Sequence, residues 1–188
     1  MKIKIKDLEK KLGYKIKKNF ISVGFDCATT TGVGIISTTK TYAIIDWTLI
    51  KFETNNKQEL YKRMYQEFKK CISPDTDCCV VEDVFFGMNP DTTIKLSRFG
   101  GLVLANAIDK KVHFETIGAK SARAKLFKLD YKKYKGKSKQ AVADYLKKLG
   151  IKIEEDNVAD GLILAILGVI DGIDFRSKKE IAKAKKRK

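Results

Sequence analysis

Four acidic positions stand where a charge is hard to accommodate. Asp26 closes the run FISVGFD, Glu82 lies inside the apolar run CCVVEDVFF, and Asp156 and Asp160 open the apolar stretch that continues GLILAIL. An ionised carboxylate beside apolar groups is costly unless it is paired or bound to a metal ion. Several such carboxylates converging make a site for hard divalent cations, which take oxygen ligands. The chemistry this set serves is phosphodiester hydrolysis, in which two divalent metals about 4 Å apart activate a water and stabilise the leaving oxygen. On a helix, Asp156 and Asp160 are four apart and share a face, and Asn157 and Asp160, three apart, also face together. Each acid has a plainer alternative role. Asp26 fits an ordinary turn, and Asp156 fits a helix cap, where an acid suits the helix dipole. Asp83 follows Glu82 in a strand, so the two side chains point to opposite faces and only one reaches a common site.

Other chemistries find little support. His113 is the single histidine of the chain, so no Ser-His-Asp or Cys-His set can form. Its place in a strand is expected to make it a packed core residue. The four cysteines, Cys27, Cys71, Cys78 and Cys79, include no CxxC pair. A zinc site needs a closed set of nitrogen and sulfur ligands, which this chain does not offer. Reduced, buried thiols are expected, with Cys78 and Cys79 packing as small hydrophobes in a strand.

The charge balance points to a polyanion. The chain of 188 residues carries 39 Lys+Arg against 23 Asp+Glu, a formal charge of +16. DNA, RNA and an anionic membrane all fit such a balance, and simple solubility is the bland alternative. No apolar run reaches the length of a membrane span, and the start MKIKIKDLEK lacks a signal-peptide core, so a cytoplasmic location is expected.

The elements that must position the acids follow from hydrophobic period. Residues 1–19 are basic and weakly amphipathic, with Leu8, Leu12 and Ile16 at helical spacing, and read as a short helix or a basic arm. FISVGFD, VGIIST and TYAIIDWTLIKFE form an antiparallel meander separated by polar turns. Leu60, Met64, Phe68 and Ile72 lie four apart on an amphipathic helix that Pro74 and Asp75 end. DCCVVEDVF is a strand buried on both faces, residues 91–109 are helical, and VHFETIG is a fifth strand. Helices are expected over 121–128 and 138–149, with the basic aromatic loop LDYKKYKGK between them, and over the apolar run that starts at Asn157. A meander followed by alternating strands and helices fits a mixed sheet flanked by helices. The expected fold class is α/β of the ribonuclease-H-like kind, with a mixed five-stranded sheet. The expected division is a basic N-terminal arm at 1–19, a nuclease domain at 20–175 and a basic tail at 176–188, the tail mobile or ordered only on DNA.

Three blocks of this chain, in order, resemble RuvC-type Holliday junction resolvases. VEDVFFGMNPDTTIKLSRFGGLVLANA is similar to the family's central signature, GFDCATTTGVGII to its first strand and turn, and NVADGLILAIL to its final helix. Together they span most of residues 20–172. The resemblance implies a homodimeric endonuclease that needs Mg²⁺ or Mn²⁺, two ions per site, and nicks two strands of a four-way junction symmetrically. It implies Asp26, Glu82 and Asp160 as metal ligands and catalytic residues. It departs at the position three before Asp160, where the family has a carboxylate or histidine and this chain has Asn157. Either Asn157 ligates through its carbonyl oxygen or Asp156 turns in, and charge favours Asp156. Phe85 is implied as a base-stacking residue at the junction centre, with core packing as its alternative. Arg123 and Lys139 are implied near the scissile phosphate, with Lys137 nearby, Lys139 having a catalytic role in neutralising transition-state charge; non-specific phosphate contact is the alternative. The region around them carries an apparent insertion. The extra basic ends would enlarge the DNA footprint, and the architecture suggests a phage or mobile-element version. The expected partners are four-way and other branched DNA and a second copy of the chain, with no membrane and no nucleotide cofactor.

Two other readings compete. GFDCATTTG also looks like the first phosphate loop of sugar-kinase and actin-like ATPases, but these need two lobes and a second phosphate loop. The other is a non-catalytic branched-DNA-binding protein with the same fold, for which Asn157 is the best argument.

Overall fold

The computed structural model describes residues 1–84, 89–127 and 137–176. Its centre is one mixed sheet of β1 (Lys2–Lys4), β2 (Phe20–Asp26), β3 (Thr30–Thr38), β4 (Tyr42–Lys51), β5 (Cys78–Glu82) and β6 (His113–Ile117), in the order β1-β4-β3-β2-β5-β6. The meander β2-β3-β4 is antiparallel, while β5 runs parallel to both β2 and β6. The helices are α1 (Ile5–Leu12), α2 (Lys57–Cys71), α3 (Pro90–Asp109), α4 (Ala119–Phe127), α5 (Ser138–Leu149) and α6 (Asp156–Val169). This is the α/β class expected, with a mixed sheet between helical layers.

The sheet has six strands rather than five. The sixth comes from the N-terminus, where the alternation in KIKIK is strand-like and Lys2–Lys4 pair antiparallel with Tyr42–Ile44. Residues 1–19 are therefore built into the fold instead of projecting as an arm. Ile5, Leu8, Leu12 and Ile16 are all buried, and Ile16 bridges to Ile170 at the far end of α6. Gly13 ends α1 in the left-handed region at φ 69°, where a glycine costs nothing sterically.

Two cores flank the sheet. One gathers Ile36, Ile45 and Val80 with buried residues of α1, α4, α5 and α6. The other gathers Val23, Phe25, Val33, Cys79 and Val81 with Leu60, Met64 and Phe68 of α2 and Phe99 and Val103 of α3. β5 contributes to both, because its alternate residues face opposite sides and both sides are covered. Helix starts are satisfied locally: Asn56 accepts from the N–H groups of Gln58 and Glu59, and Asn89 from those of Asp91 and Thr92.

α6 is apolar on nearly all sides because it crosses the middle of the sheet and is covered by α4 and α5. It lies unusually close to β2 and β3, and glycines make that possible. A Cβ on Gly32 would sit 1.9 Å from the Asn157 carbonyl oxygen, and one on Gly161 would sit 2.5 Å from that of Gly32. Among the described residues no helix is long and apolar enough to cross a membrane.

His113 is exposed at the start of the edge strand β6, where its Nε2 lies 3.0 Å from Glu115 Oε1, so it is not the core residue expected. An edge strand has one neighbour only, and this face of β6 is left open. All four cysteines are free thiols. Cys27, Cys78 and Cys79 are buried, whereas Cys71 at the end of α2 is only partly so.

Candidate active site

The sheet topology brings two of the acids together directly. β2 and β5 are parallel neighbours with Phe25 opposite Val81, so the next residues along, Asp26 and Glu82, end both strands at the same edge. The close approach of α6 then sets Asp160, near its N-terminus, against this pair. Burial and the neighbouring carboxylates raise the proton affinities of Asp26 and Glu82. Burial first, then the charge of Asp160, raise Asp26 to about 6, although a hydrogen bond from Glu82 works the other way. Burial first, then the charges of Asp26 and Asp160, push Glu82 up to about 8. The two interact strongly, so they titrate as a pair in which Glu82 holds the proton and donates to Asp26.

One cation already answers this cluster. Arg123 of α4 donates from one terminal nitrogen to both oxygens of Asp160, at 2.8 and 2.7 Å. The side chains are 13% and 19% exposed. Its positive charge also lowers the proton affinities of Asp26 and Glu82, without overcoming their burial. The resemblance implies Arg123 near the scissile phosphate; its partnership with Asp160 comes from the structure.

The other residues singled out from the sequence lie around this centre. Asp156 opens α6 and takes the amine of Lys139 at 2.6 Å, on the surface. Its charge does not figure among those acting on Asp26 and Glu82. Asn157 donates its side-chain N–H to the Thr30 carbonyl at 2.6 Å, tying the start of α6 to the start of β3. Thr31 secures the intervening turn by accepting from the Ala28 N–H and donating to the Ala28 carbonyl. Lys137 is exposed just ahead of α5. Asp83 is exposed and does not join the cluster. Phe85 lies outside the described residues, as do its neighbour Phe86 and most of the basic aromatic loop and tail.

The donor chemistry suits a hard divalent cation: three carboxylates converge, and two of them are destabilised as anions. The arrangement as it stands is not a finished metal site. Among the described residues no group of three or more His, Cys, Asp or Glu side chains is placed to hold a metal ion. Both oxygens of Asp160 are turned to Arg123 instead. The residues therefore fit a metal in kind, once Asp160 is released.

Comparison with known proteins bears on both family and fold. The family model described as "Crossover junction endodeoxyribonuclease RuvC" matches residues 23–168, a span that contains all four acids. Among solved structures, Thermus thermophilus RuvC is similar with a TM-score of 0.61 and 19% identity, over 78% of this chain and 92% of that one. T. thermophilus RuvC in complex with Holliday junction substrate is similar with a TM-score of 0.60 and 20% identity, over 78% and 90%. At these identities the structural likeness speaks for the fold. No curated protein matches the sequence.

Proposed function

The chain belongs to the RuvC family of crossover junction endodeoxyribonucleases, and on that premise we propose that it nicks four-way DNA junctions by metal-dependent phosphodiester hydrolysis at Asp26, Glu82 and Asp160. The observation that carries the reading is the forced proximity of these three carboxylates, two of which are held well above the ordinary carboxylate range by burial and by one another. Mg²⁺ or Mn²⁺, two per site, would be held by Asp26, Glu82 and Asp160, with Asp156 or Asn157 as the fourth ligand; bound there, the ions supply an activated water and neutralise charge on the phosphate.

The side chains have distinct tasks in this scheme. Glu82 would release its proton to solvent as a metal ion binds, so that both strand-end carboxylates become anionic oxygen donors. Arg123 leaves Asp160 and moves to the scissile phosphate, exchanging a carboxylate partner for a phosphate one. Lys139 adds positive charge at the rim, with Lys137 nearby, and both contact the DNA backbone. Phe85 stacks on a base at the opened junction centre. The chain acts as a homodimer, two sites meeting two strands; exposed Ile94 and Ile108 on α3 offer an apolar surface for the second copy. Flaps and forks are accepted as further substrates, because basic surfaces raise affinity for any DNA.

The test is cleavage of a labelled synthetic four-way junction in Mg²⁺, Mn²⁺ and EDTA, with linear duplex and flap controls. Paired symmetric nicks that vanish in EDTA are expected, and Asp26→Asn and Glu82→Gln should bind without cutting. A second reading, a branched-DNA-binding protein impaired in catalysis, is favoured by the Arg123 hold on Asp160 and by the engagement of Asn157 with Thr30. Binding with no cleavage in either metal would decide for it.

A further inference from the structure

We infer that the end of the sheet opposite the carboxylates carries a second DNA-backbone site, a lysine-lined groove that holds a duplex arm of the branched substrate away from the cut. The inference rests on the nuclease reading for its ligand and on separate residues for its site.

The groove is a cleft of about 570 Å³ between the N-terminal segment, the β3–β4 turn and the end of α6. Lys4, Lys6, Lys15, Lys18 and Lys40 line it, with Tyr42. All five lysines are exposed. They come from three stretches of chain that the fold fixes together. Ile5 N–H donates to the Thr41 carbonyl at 2.8 Å, Lys17 N–H to the Val169 carbonyl at 2.9 Å, and Asp171 N–H to the Lys15 carbonyl at 2.9 Å. The amines are thus mounted on a rigid wall, not on a loose arm.

Their charge is mostly uncompensated. Two acids, Glu9 and Asp171, also line the cleft. Glu9 is already engaged, accepting from the Ile16 N–H at 3.1 Å and facing Lys15 at 4.0 Å. Among the described residues, no hydrogen bond or ion pair occupies the amines of Lys4, Lys6, Lys18 or Lys40. Their neighbours differ: Lys17 donates to the Gly168 carbonyl and lies over the Phe20 ring, and Lys11 donates to the Leu149 carbonyl. The fold uses those two lysines for itself and leaves the groove set for a ligand.

The chemistry selects a linear polyanion. Amines are point charges without the planar fork that reads a base or grips one carboxylate, so they suit repeated phosphates irrespective of sequence. Spread over three chain segments, they fit a backbone better than a single phosphate group. The groove and the carboxylates lie at opposite ends of β2, whose seven residues span roughly 20 Å at about 3.3 Å each. Along a duplex this is about six base pairs, at about 3.4 Å per step. DNA cut at the carboxylates and DNA held in the groove are therefore separate stretches of one substrate.

The test is the salt dependence of binding to a four-way junction with long arms, measured in Ca²⁺ or EDTA so that no cleavage intrudes. A variant with Lys4, Lys6, Lys18 and Lys40 changed to Gln is compared with one losing the same charge on α2, at Lys62, Arg63, Lys69 and Lys70. Removing one phosphate-binding amine flattens the log–log slope by about 0.9. The groove variant should flatten it by about 2 to 4, the α2 variant should leave it near wild type, and Lys→Arg at the four groove positions should keep it. Equal flattening in both Gln variants would reduce the effect to net charge and overturn the groove; so would an unchanged slope in the groove variant. Melting curves check that each variant folds. If wild type fails to bind junctions at all, the nuclease reading fails first, and the same comparison on a long linear duplex then decides the groove alone.

Discussion

Two acid–base pairs fasten the first turns of α6 to the helices before it, and they differ in everything except length. Arg123–Asp160 closes at 2.7 Å with side chains 13% and 19% exposed, and Lys139–Asp156 at 2.6 Å with 73% and 51% exposed. Distance alone would rank them equal. Burial separates them: the first pair is held where solvent screens little, so losing one partner leaves a charge in a poor medium. The second sits in water and salt, where such pairs contribute little. The inner pair therefore lies within the carboxylate cluster and the outer pair at its rim. The contrast also bears on which acid would complete a metal site, since the charge of Asp160 acts on Asp26 and Glu82 and Asp156 is half in solvent.

The largest expected effect tests that assignment. Asp160→Asn should lower junction cleavage by at least about a hundredfold, the scale of removing one electrostatic partner of a transition state. Asp156→Asn should lower it much less, with both variants still binding the junction. Equal losses, measured as single-turnover rates in Mg²⁺, would break the comparison and place Asp156 among the ligands.

Next in size is the loss of the inner cation. Arg123→Gln strands Asp160 beside two other carboxylates, and in EDTA it should lower unfolding stability by up to about 3 kcal/mol. Urea titration measures this. Mn²⁺ should restore most of the loss, because a divalent ion can answer the carboxylates that the guanidinium no longer answers. A loss that Mn²⁺ leaves untouched would mean that Arg123 serves packing alone.

A third effect is set by pH. Asp26 and Glu82 have folded-state proton affinities above their ordinary values, raised to about 6 and about 8. Their protonated forms thus favour the fold. That contribution is full below the unfolded carboxylate range, near 4, and is lost as pH rises through about 6 to about 8. The metal-free protein should therefore melt at progressively lower temperature across this window. Glu82→Gln mimics the protonated state and should flatten the decline, which a melting series in EDTA from acid to mildly alkaline pH would reveal. A parallel decline in both proteins would remove the pair as its cause.

Much of this arrangement is legible in the sequence, and the part that is not has a common cause. Strands ending in Asp26 and Glu82 and a helix starting near Asp156 follow from local period, so the places of the acids along the chain can be read. The sixth strand escapes such a reading because KIKIK fits a basic arm equally well until Tyr42–Ile44 offer an edge to pair with. The exposure of His113 escapes it because period identifies a strand and says nothing of whether it has a second neighbour. Gly24, Gly32 and Gly34 on adjacent strands, with Gly161 on the helix, are an available signal for the close seating of α6, since a Cβ at any of them would strike the facing backbone. The partner of Arg123 has no local signal. It depends on how α4 sits against α6, and tertiary packing alone decides that.

The smallest effect concerns the outer pair, and it is informative because stability and binding should diverge. Lys139→Gln removes an exposed ion pair, so the melting temperature should not move at low or high salt. Water around both partners weakens the attraction, and holding two exposed side chains in one geometry costs entropy that offsets what remains. DNA binding should respond nevertheless. An amine that lies beside Asp156 in the free protein is within easy reach of a phosphate entering the site, and exchanging one partner for the other releases a counterion from the DNA. The salt slope of junction binding should then flatten by about 0.9, one phosphate contact. Asp156→Asn should act in the opposite sense, freeing Lys139 from its competitor and tightening binding slightly. If both variants left binding unchanged, the outer pair would be a surface contact with no part in holding DNA, and the division between an inner chemical pair and an outer binding pair would narrow to the inner pair alone.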